Sequence, residues 1–156
     1  MKSELEKQLV KDFPFCFGDY GKDMKQTSIY WGCQCNDGWE PIIREACAKA
    51  ELVISNWVEK HKHDEDFNID FAPRLSQVKE KYGTLRMDFT TYPEGIDEIE
   101  MAAEKKSETT CETCGEPGKL RGQGWYYVSC IDHSEEKDLD SLEIVEEAYI
   151  KNKKEN

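Results

Sequence analysis

Two short pairs of potential metal ligands constrain this chain more than any other feature of its sequence. Cys111 and Cys114 form a C-x₂-C pair, and fifteen residues separate them from Cys130 and His133, which form a C-x₂-H pair. Three thiolates and one imidazole are an ordinary tetrahedral zinc set, and this spacing is in the range of structural zinc sites. The sequence therefore predicts a zinc module in which Zn²⁺ is a structural cofactor.

The residues between the two pairs fit this module. Leu120-Arg121 and Trp125 to Val128 are predicted as two short strands joined at Gly122–Gly124, which is a zinc-ribbon or treble-clef-like arrangement. Four protein ligands close the coordination shell and leave no position for water or substrate. The alternative is that these four residues are unrelated reduced side chains.

The rest of the chain predicts an α+β fold, in which a long helix packs on a β-hairpin and a second helix follows. Apolar residues recur at helical spacing from about residue 39 to 60, and the pattern Leu85, Met87, Phe89 alternates as in a strand with one buried face. Residues 13–38 are predicted to be an irregular, aromatic-rich loop. We divide the chain into an α+β domain at 1–108, the zinc module at 109–137, and an acidic C-terminal helix with a frayed tail at 138–156.

Charge and composition exclude several classes of protein. The 156 residues carry 33 acidic and 21 basic side chains, for a net charge of −12, which makes general nucleic-acid binding unfavourable. The sequence has neither a run of about 18 apolar residues nor a signal peptide, so we expect a cytoplasmic protein without a membrane partner. The excess of acidic residues either serves only to keep the protein soluble or attracts a partner with a basic surface.

The remaining thiols leave a second metal site open. Seven cysteines in a reducing compartment are expected to be thiols or metal ligands rather than disulfides. Cys33 and Cys35, with Cys16 or Cys47, would supply such a site. The alternative interpretation places Cys16 and Cys47 in the core as small apolar residues.

Sequence motifs for catalysis are few. The chain contains no G-x-S-x-G, P-loop or G-x-G-x-x-G motif. His63-Asp64-Glu65 followed by Cys111 and Cys114 resembles the zinc-deaminase signature, but Thr110 stands where that signature has proline, and Cys130 and His133 would have no role. We therefore expect a protein that is not an enzyme, with a zinc-dependent deaminase as the least favoured alternative.

A local basic patch on the hairpin suggests a different function. Lys79, Lys81, Tyr82 and Arg86 cluster in an otherwise acidic sequence, and Arg121 is a candidate to join them. Cationic side chains with an aromatic neighbour can hold a phosphate or a nucleotide. Ordinary surface charge on a two-sided hairpin is the competing explanation.

Several ordered motifs carry a resemblance to a known family. They are the run from Gln77 to Phe89, the segment containing Ile99 and Ala103, and the C-E-T-C-G-E-P-G-K-L-R sequence at 111–121 with Trp125 and C-x₂-H after it. This pattern, with Asp37-Gly38-Trp39 before the long helix, resembles a family of small bacteriophage and prophage proteins over about residues 31–133. The resemblance implies a phage source and a fold layout rather than an activity.

These observations lead to two functional hypotheses. The first is a non-enzymatic, zinc-stabilised phage accessory protein that binds a host protein in the host cytoplasm. In this hypothesis the chain acts as a counter-defence inhibitor. The second is a binder of a phosphate-bearing small ligand, such as a signalling nucleotide, through the hairpin patch.

Overall fold

The computed structural model describes residues 1–25, 27–122 and 124–135. Its elements, in chain order, are α1 (Ser3–Asp12), β1 (Cys33–Gln34), α2 (Glu40–His61), β2 (Leu75–Lys81), β3 (Thr84–Phe89), α3 (Ile96–Ser107), β4 (Lys119–Arg121) and β5 (Tyr127–Ser129). The α+β class predicted from the sequence is confirmed. The predicted acidic helix at 138–156 lies outside the described residues.

Helix α2 forms the centre of the core. Its apolar residues recur at intervals of three and four, which places Ile43, Cys47, Ala50 and Ile54 on one fully buried stripe. Pro41 occupies the first turn, where a missing backbone N–H costs nothing. Helix α3 packs alongside α2, and an ion pair between Lys106 and Glu45 links the two helices.

The main sheet has three strands in the order β1-β2-β3, with β1 parallel to β2 and β2 antiparallel to β3. The β2–β3 turn consists of two residues, Tyr82 (φ 55°) and Gly83 (φ 82°). Two positive φ values define a type I′ turn, whose twist matches that of the strands it joins. Tyr82 lacks the conformational freedom of glycine, so this turn is strained at its first position.

Helix α3 covers the outer edge of β3. The Leu85 N–H donates to Ser107 Oγ at 2.8 Å, and Arg86 forms an ion pair with Glu104. Because an uncovered strand edge is a template for aggregation, this contact protects the sheet.

Strand β1 is absent from the sequence prediction, which placed residues 13–38 in an irregular loop. The strand is only two residues long and pairs Cys33 with Val78 and Gln34 with Lys79. Two residues cannot display the alternation by which a strand is recognised. Helix α1 anchors it from the other side, because Glu6 Oε2 accepts from Cys33 N at 2.7 Å.

Candidate metal centre

Cys111 and Cys114 lie on a tight turn that follows α3. Gly115 N donates to Cys111 O at 2.9 Å, and Cys111 N donates to Glu116 O at 2.8 Å. Gly115 adopts φ 81°, a conformation that glycine takes without a steric penalty. The turn leaves the Cys111 side chain buried and that of Cys114 exposed. We refer to residues 110–115 as the knuckle.

Cys130 and His133 are placed by the β4–β5 ribbon. The ribbon pairs Lys119 with Ser129, Leu120 with Val128 and Arg121 with Tyr127. A single 3₁₀ turn at Ile131–His133 follows β5 and brings His133 Nδ1 to 3.1 Å from Cys130 Sγ. The second ligand pair therefore faces the first across the end of the ribbon.

The four ligand atoms converge on one point. They all lie within 4.8 Å of one another. Cys114 Sγ is 3.7 Å from Cys130 Sγ, and Cys111 Sγ is 3.8 Å from His133 Nδ1. A tetrahedral zinc ion with bonds of about 2.3 Å to sulfur and 2.0 to 2.1 Å to nitrogen requires separations of about 3.8 Å between sulfurs and about 3.6 Å from sulfur to nitrogen. The group is thus close enough to bind a metal ion.

The electrostatics of the knuckle favour a thiolate at Cys111. Burial alone would raise the pKa of this thiol, but the backbone N–H groups of Cys130, Cys114 and Thr113 oppose it and hold the pKa at about 6. The backbone N–H of Glu116 favours a thiolate at Cys114, but burial and the neighbouring sulfurs of Cys111 and Cys130 outweigh it and raise the pKa to about 11. Because adjacent thiolates repel one another, a cation is needed to hold all three sulfurs in the charged form.

The knuckle docks on the segment that leads into α2. Gly38 N donates to Glu112 O at 2.8 Å, and Trp39 Nε1 donates to Thr110 O at 2.8 Å. Asn36 N donates to Glu112 Oε1 at 2.9 Å. A Cβ at Gly38 would come within 3 Å of three backbone atoms, the oxygens of Cys111 and Glu112 and the nitrogen of Gly115. Close backbone approach therefore requires glycine at position 38.

Sequence reasoning did not assign these docking residues a role. The motif Asp37-Gly38-Trp39 belongs to the family resemblance, and Trp39 begins the apolar spacing of the long helix. Neither observation predicts the contact with the knuckle, which spans more than 70 residues of chain. The signal in the sequence is a glycine directly before the tryptophan at which the long helix begins. That signal does not identify the partner surface.

The candidate phosphate-binding residues have different partners in the structure. Lys79 and Arg86 are cross-strand neighbours on the hairpin, but Lys79 Nζ donates to Gln77 Oε1 at 2.7 Å, and Arg86 pairs with Glu104. Lys81 Nζ lies 5.5 Å above the ring of exposed Tyr82. Arg121 is buried inside the ribbon, where its Nε donates to Ser129 O at 3.2 Å.

The other four thiols lie in the core. Among the described residues, Cys111, Cys114, Cys130 and His133 are the only group of three or more potential ligands that converges. Cys16, Cys33, Cys35 and Cys47 are buried, and burial raises the pKa of Cys35 to about 12. The second metal site that the sequence left open is therefore not assembled by these thiols in the described part of the chain.

The histidine of the deaminase alternative, His63, is exposed in the loop after α2 and lies away from this group. The neighbouring His61 donates through Nδ1 to Trp57 O at 2.7 Å and stacks on the Trp57 ring. Neither is among the converging ligands.

Comparisons with family models, curated proteins and solved structures found no match to this chain. Of the helices in residues 1–25, 27–122 and 124–135, none combines the length and apolar character that crossing a membrane requires. The function of this chain is therefore inferred from the site itself.

Proposed function

We propose that this chain is a non-enzymatic binding protein stabilised by one structural zinc ion. The observation that carries the proposal is the convergence of four protein ligands, Cys111, Cys114, Cys130 and His133, within 4.8 Å. A metal with four protein ligands has no open position at which to activate water or polarise a substrate. The metal then organises the fold and leaves recognition to the surface around it.

The donor set supports zinc as the metal. Thiolate sulfur with imidazole nitrogen in a tetrahedral arrangement is typical of zinc, whereas magnesium and calcium prefer oxygen ligands. Three of the six spacings between ligand atoms match the edges of a zinc tetrahedron to within about half an ångström, and the others lie within 4.8 Å.

The knuckle's position supports a structural role. Its hydrogen bonds to Asn36, Gly38 and Trp39 connect the candidate metal ligands to the segment that leads into the central helix. Zinc binding therefore stabilises the α+β core as well as the module, because metal-binding free energy becomes folding free energy.

The surface beside the module offers anchors for a protein partner. Tyr82 is 66% exposed and Trp125 is 77% exposed. A Cβ added at Gly83 would lie 2.5 Å from Leu120 Cδ1 and 3.4 Å from Tyr127 N, so the hairpin turn abuts the ribbon. Tyr82 and Trp125 thus flank one junction, which we call the aromatic face. Tyrosine and tryptophan contribute most to binding energy at protein interfaces.

Charge and resemblance indicate the kind of partner. A net charge of −12 steers association towards a basic surface. The resemblance to phage proteins supports a host protein as the target and inhibition of a defence factor as the outcome.

Two measurements test this proposal. Elemental analysis of the purified chain should find one zinc ion per molecule. If no zinc is found, the proposal that a structural metal stabilises the fold is wrong. Capture from bacterial lysate should yield a specific protein whose binding is lost in Trp125→Ala. Trp31→Ala removes an equally conspicuous aromatic, 59% exposed, from outside the module and serves as the matched control. Equal loss in both variants, or no loss in Trp125→Ala, would reject the aromatic face.

A further inference from the structure

Arg121 is a buried cation whose hydrogen bonding is incomplete. Its side chain is 3% exposed, and its Nε donates to Ser129 O at 3.2 Å. Its Nη1 is buried and has no hydrogen-bond partner among the described residues. A buried guanidinium without full pairing is energetically costly, so such a group calls for an explanation.

Arg121 lines a pocket on one face of the β4–β5 ribbon. Residues two apart on a strand share a face, so Lys119 joins Arg121 there, and Ser129 is the cross-strand partner of Lys119. All three line a cavity of about 340 Å³, together with the apolar side chains of Pro117 and Ile131 and the candidate metal ligand Cys130. This volume is in the range of sites for small organic ligands.

The pocket combines positive charge with an apolar wall. Two cationic side chains lie on one ribbon face of a protein with net charge −12, and Ser129 adds a hydroxyl. A guanidinium is suited to hold a carboxylate or phosphate through paired N–H donors. Pro117 and Ile131 would contact a carbon skeleton attached to that anionic group.

We propose that this pocket binds a small organic oxyanion, a carboxylate or a phosphate ester with a compact apolar body. Lys119 contacts the anionic oxygens at the rim, the buried Arg121 attracts them from the floor of the pocket, and Ile131 covers the apolar part. The site shares Arg121 with the patch predicted from the sequence but none of its hairpin residues, because Leu120, on the opposite face of β4, contacts the turn that carries Tyr82. It is also independent of the aromatic face, so either proposal can fail without the other.

Titration calorimetry on the zinc-loaded full chain tests the site. The probes are phenyl phosphate, benzoate and uncharged phenol, each in buffers of matched ionic strength. We expect phenyl phosphate or benzoate to bind at least tenfold more tightly than phenol, and the stronger of the two identifies the oxyanion. If neither anion binds, or if phenol binds equally well, the proposal is wrong.

Variants assign the binding to the pocket. Arg121→Met should abolish anion binding while the chain stays folded, because replacing a poorly paired buried charge with an apolar side chain of similar length is often neutral for stability. Lys119→Gln changes an exposed residue and should weaken binding about threefold or more, which keeps the test decisive if Arg121→Met fails to fold. Lys60→Gln, exposed at the end of α2, is the matched control and should bind like the parent chain. If both Lys119→Gln and Arg121→Met bind the anion as tightly as the parent chain, the assignment to this pocket is wrong. If Arg121→Met does not fold, unchanged affinity in Lys119→Gln alone is enough to overturn the assignment.

Discussion

Replacing Gly38 with alanine should uncouple the zinc module from the core. The added Cβ would come within 3 Å of three backbone atoms of the knuckle, none of which can rotate away as a flexible side chain can. The knuckle must therefore move, and the bond from Gly38 N to Glu112 O and the bond from Trp39 Nε1 to Thr110 O are both strained or lost.

The expected magnitude follows from these contacts. Each hydrogen bond contributes about 1 kcal/mol, and overpacking against fixed atoms costs about 1 to 3 kcal/mol. We expect Gly38→Ala to lower the free energy of unfolding by about 3 kcal/mol in the presence of zinc. This is a large share of the roughly 5 to 15 kcal/mol by which such domains are stable.

Urea denaturation of the zinc-loaded protein, followed by tryptophan fluorescence, measures this change. Gly18→Ala is the matched control, because a Cβ there would meet its neighbours at 3.4 to 3.7 Å, which is ordinary van der Waals contact. The control should change stability by less than about 1 kcal/mol. If Gly38→Ala and Gly18→Ala have the same stability, the docking of the knuckle does not support the core as argued.

Three further predictions concern the metal, the acidic helix face and the hairpin turn. Chelation of the metal, or Cys114→Ser, should lower the free energy of unfolding by roughly 3 kcal/mol or more, and hydrogen exchange should show the largest loss of protection in residues 109–135. Burial and the nearby charges of Asp88 and Asp97 raise the pKa of Glu100 to about 7. Because the folded state disfavours the charged form of this carboxyl, the free energy of unfolding falls as pH rises from about 4.5 to 7. Glu100→Gln should therefore stabilise the protein by about 1 kcal/mol at pH 8 and leave it unchanged at pH 4.5, and equal effects at both pH values in thermal melts would contradict this. Tyr82→Asn should raise the free energy of unfolding by about 0.5 to 1 kcal/mol, because asparagine tolerates the positive φ of this turn position better than tyrosine does. The same variant should capture less of the partner. A lower free energy of unfolding would instead show that the Tyr82 ring supports the turn.

The sequence alone determined the elements whose signals are local. Helix α2 follows from apolar spacing over six turns, and the β2–β3 hairpin follows from the turn at Gly83 and the alternation of Leu85, Met87 and Phe89 after it. The metal ligands follow from two x₂ spacings that a tight turn can close, since each pair needs only its own neighbouring backbone. These features depend on residues that are close in the chain.

Tertiary structure alone decided how these parts meet. The pairing of β1 with β2, the docking of Gly38 against the knuckle and the ion pair between Arg86 and Glu104 join residues far apart in the chain. In the sequence, Arg121 and Arg86 are both simply cationic residues, and nothing near them distinguishes their environments. Only packing buries the first inside the ribbon and pairs the second with a carboxylate, because burial and partners depend on which surfaces the folded chain brings into contact.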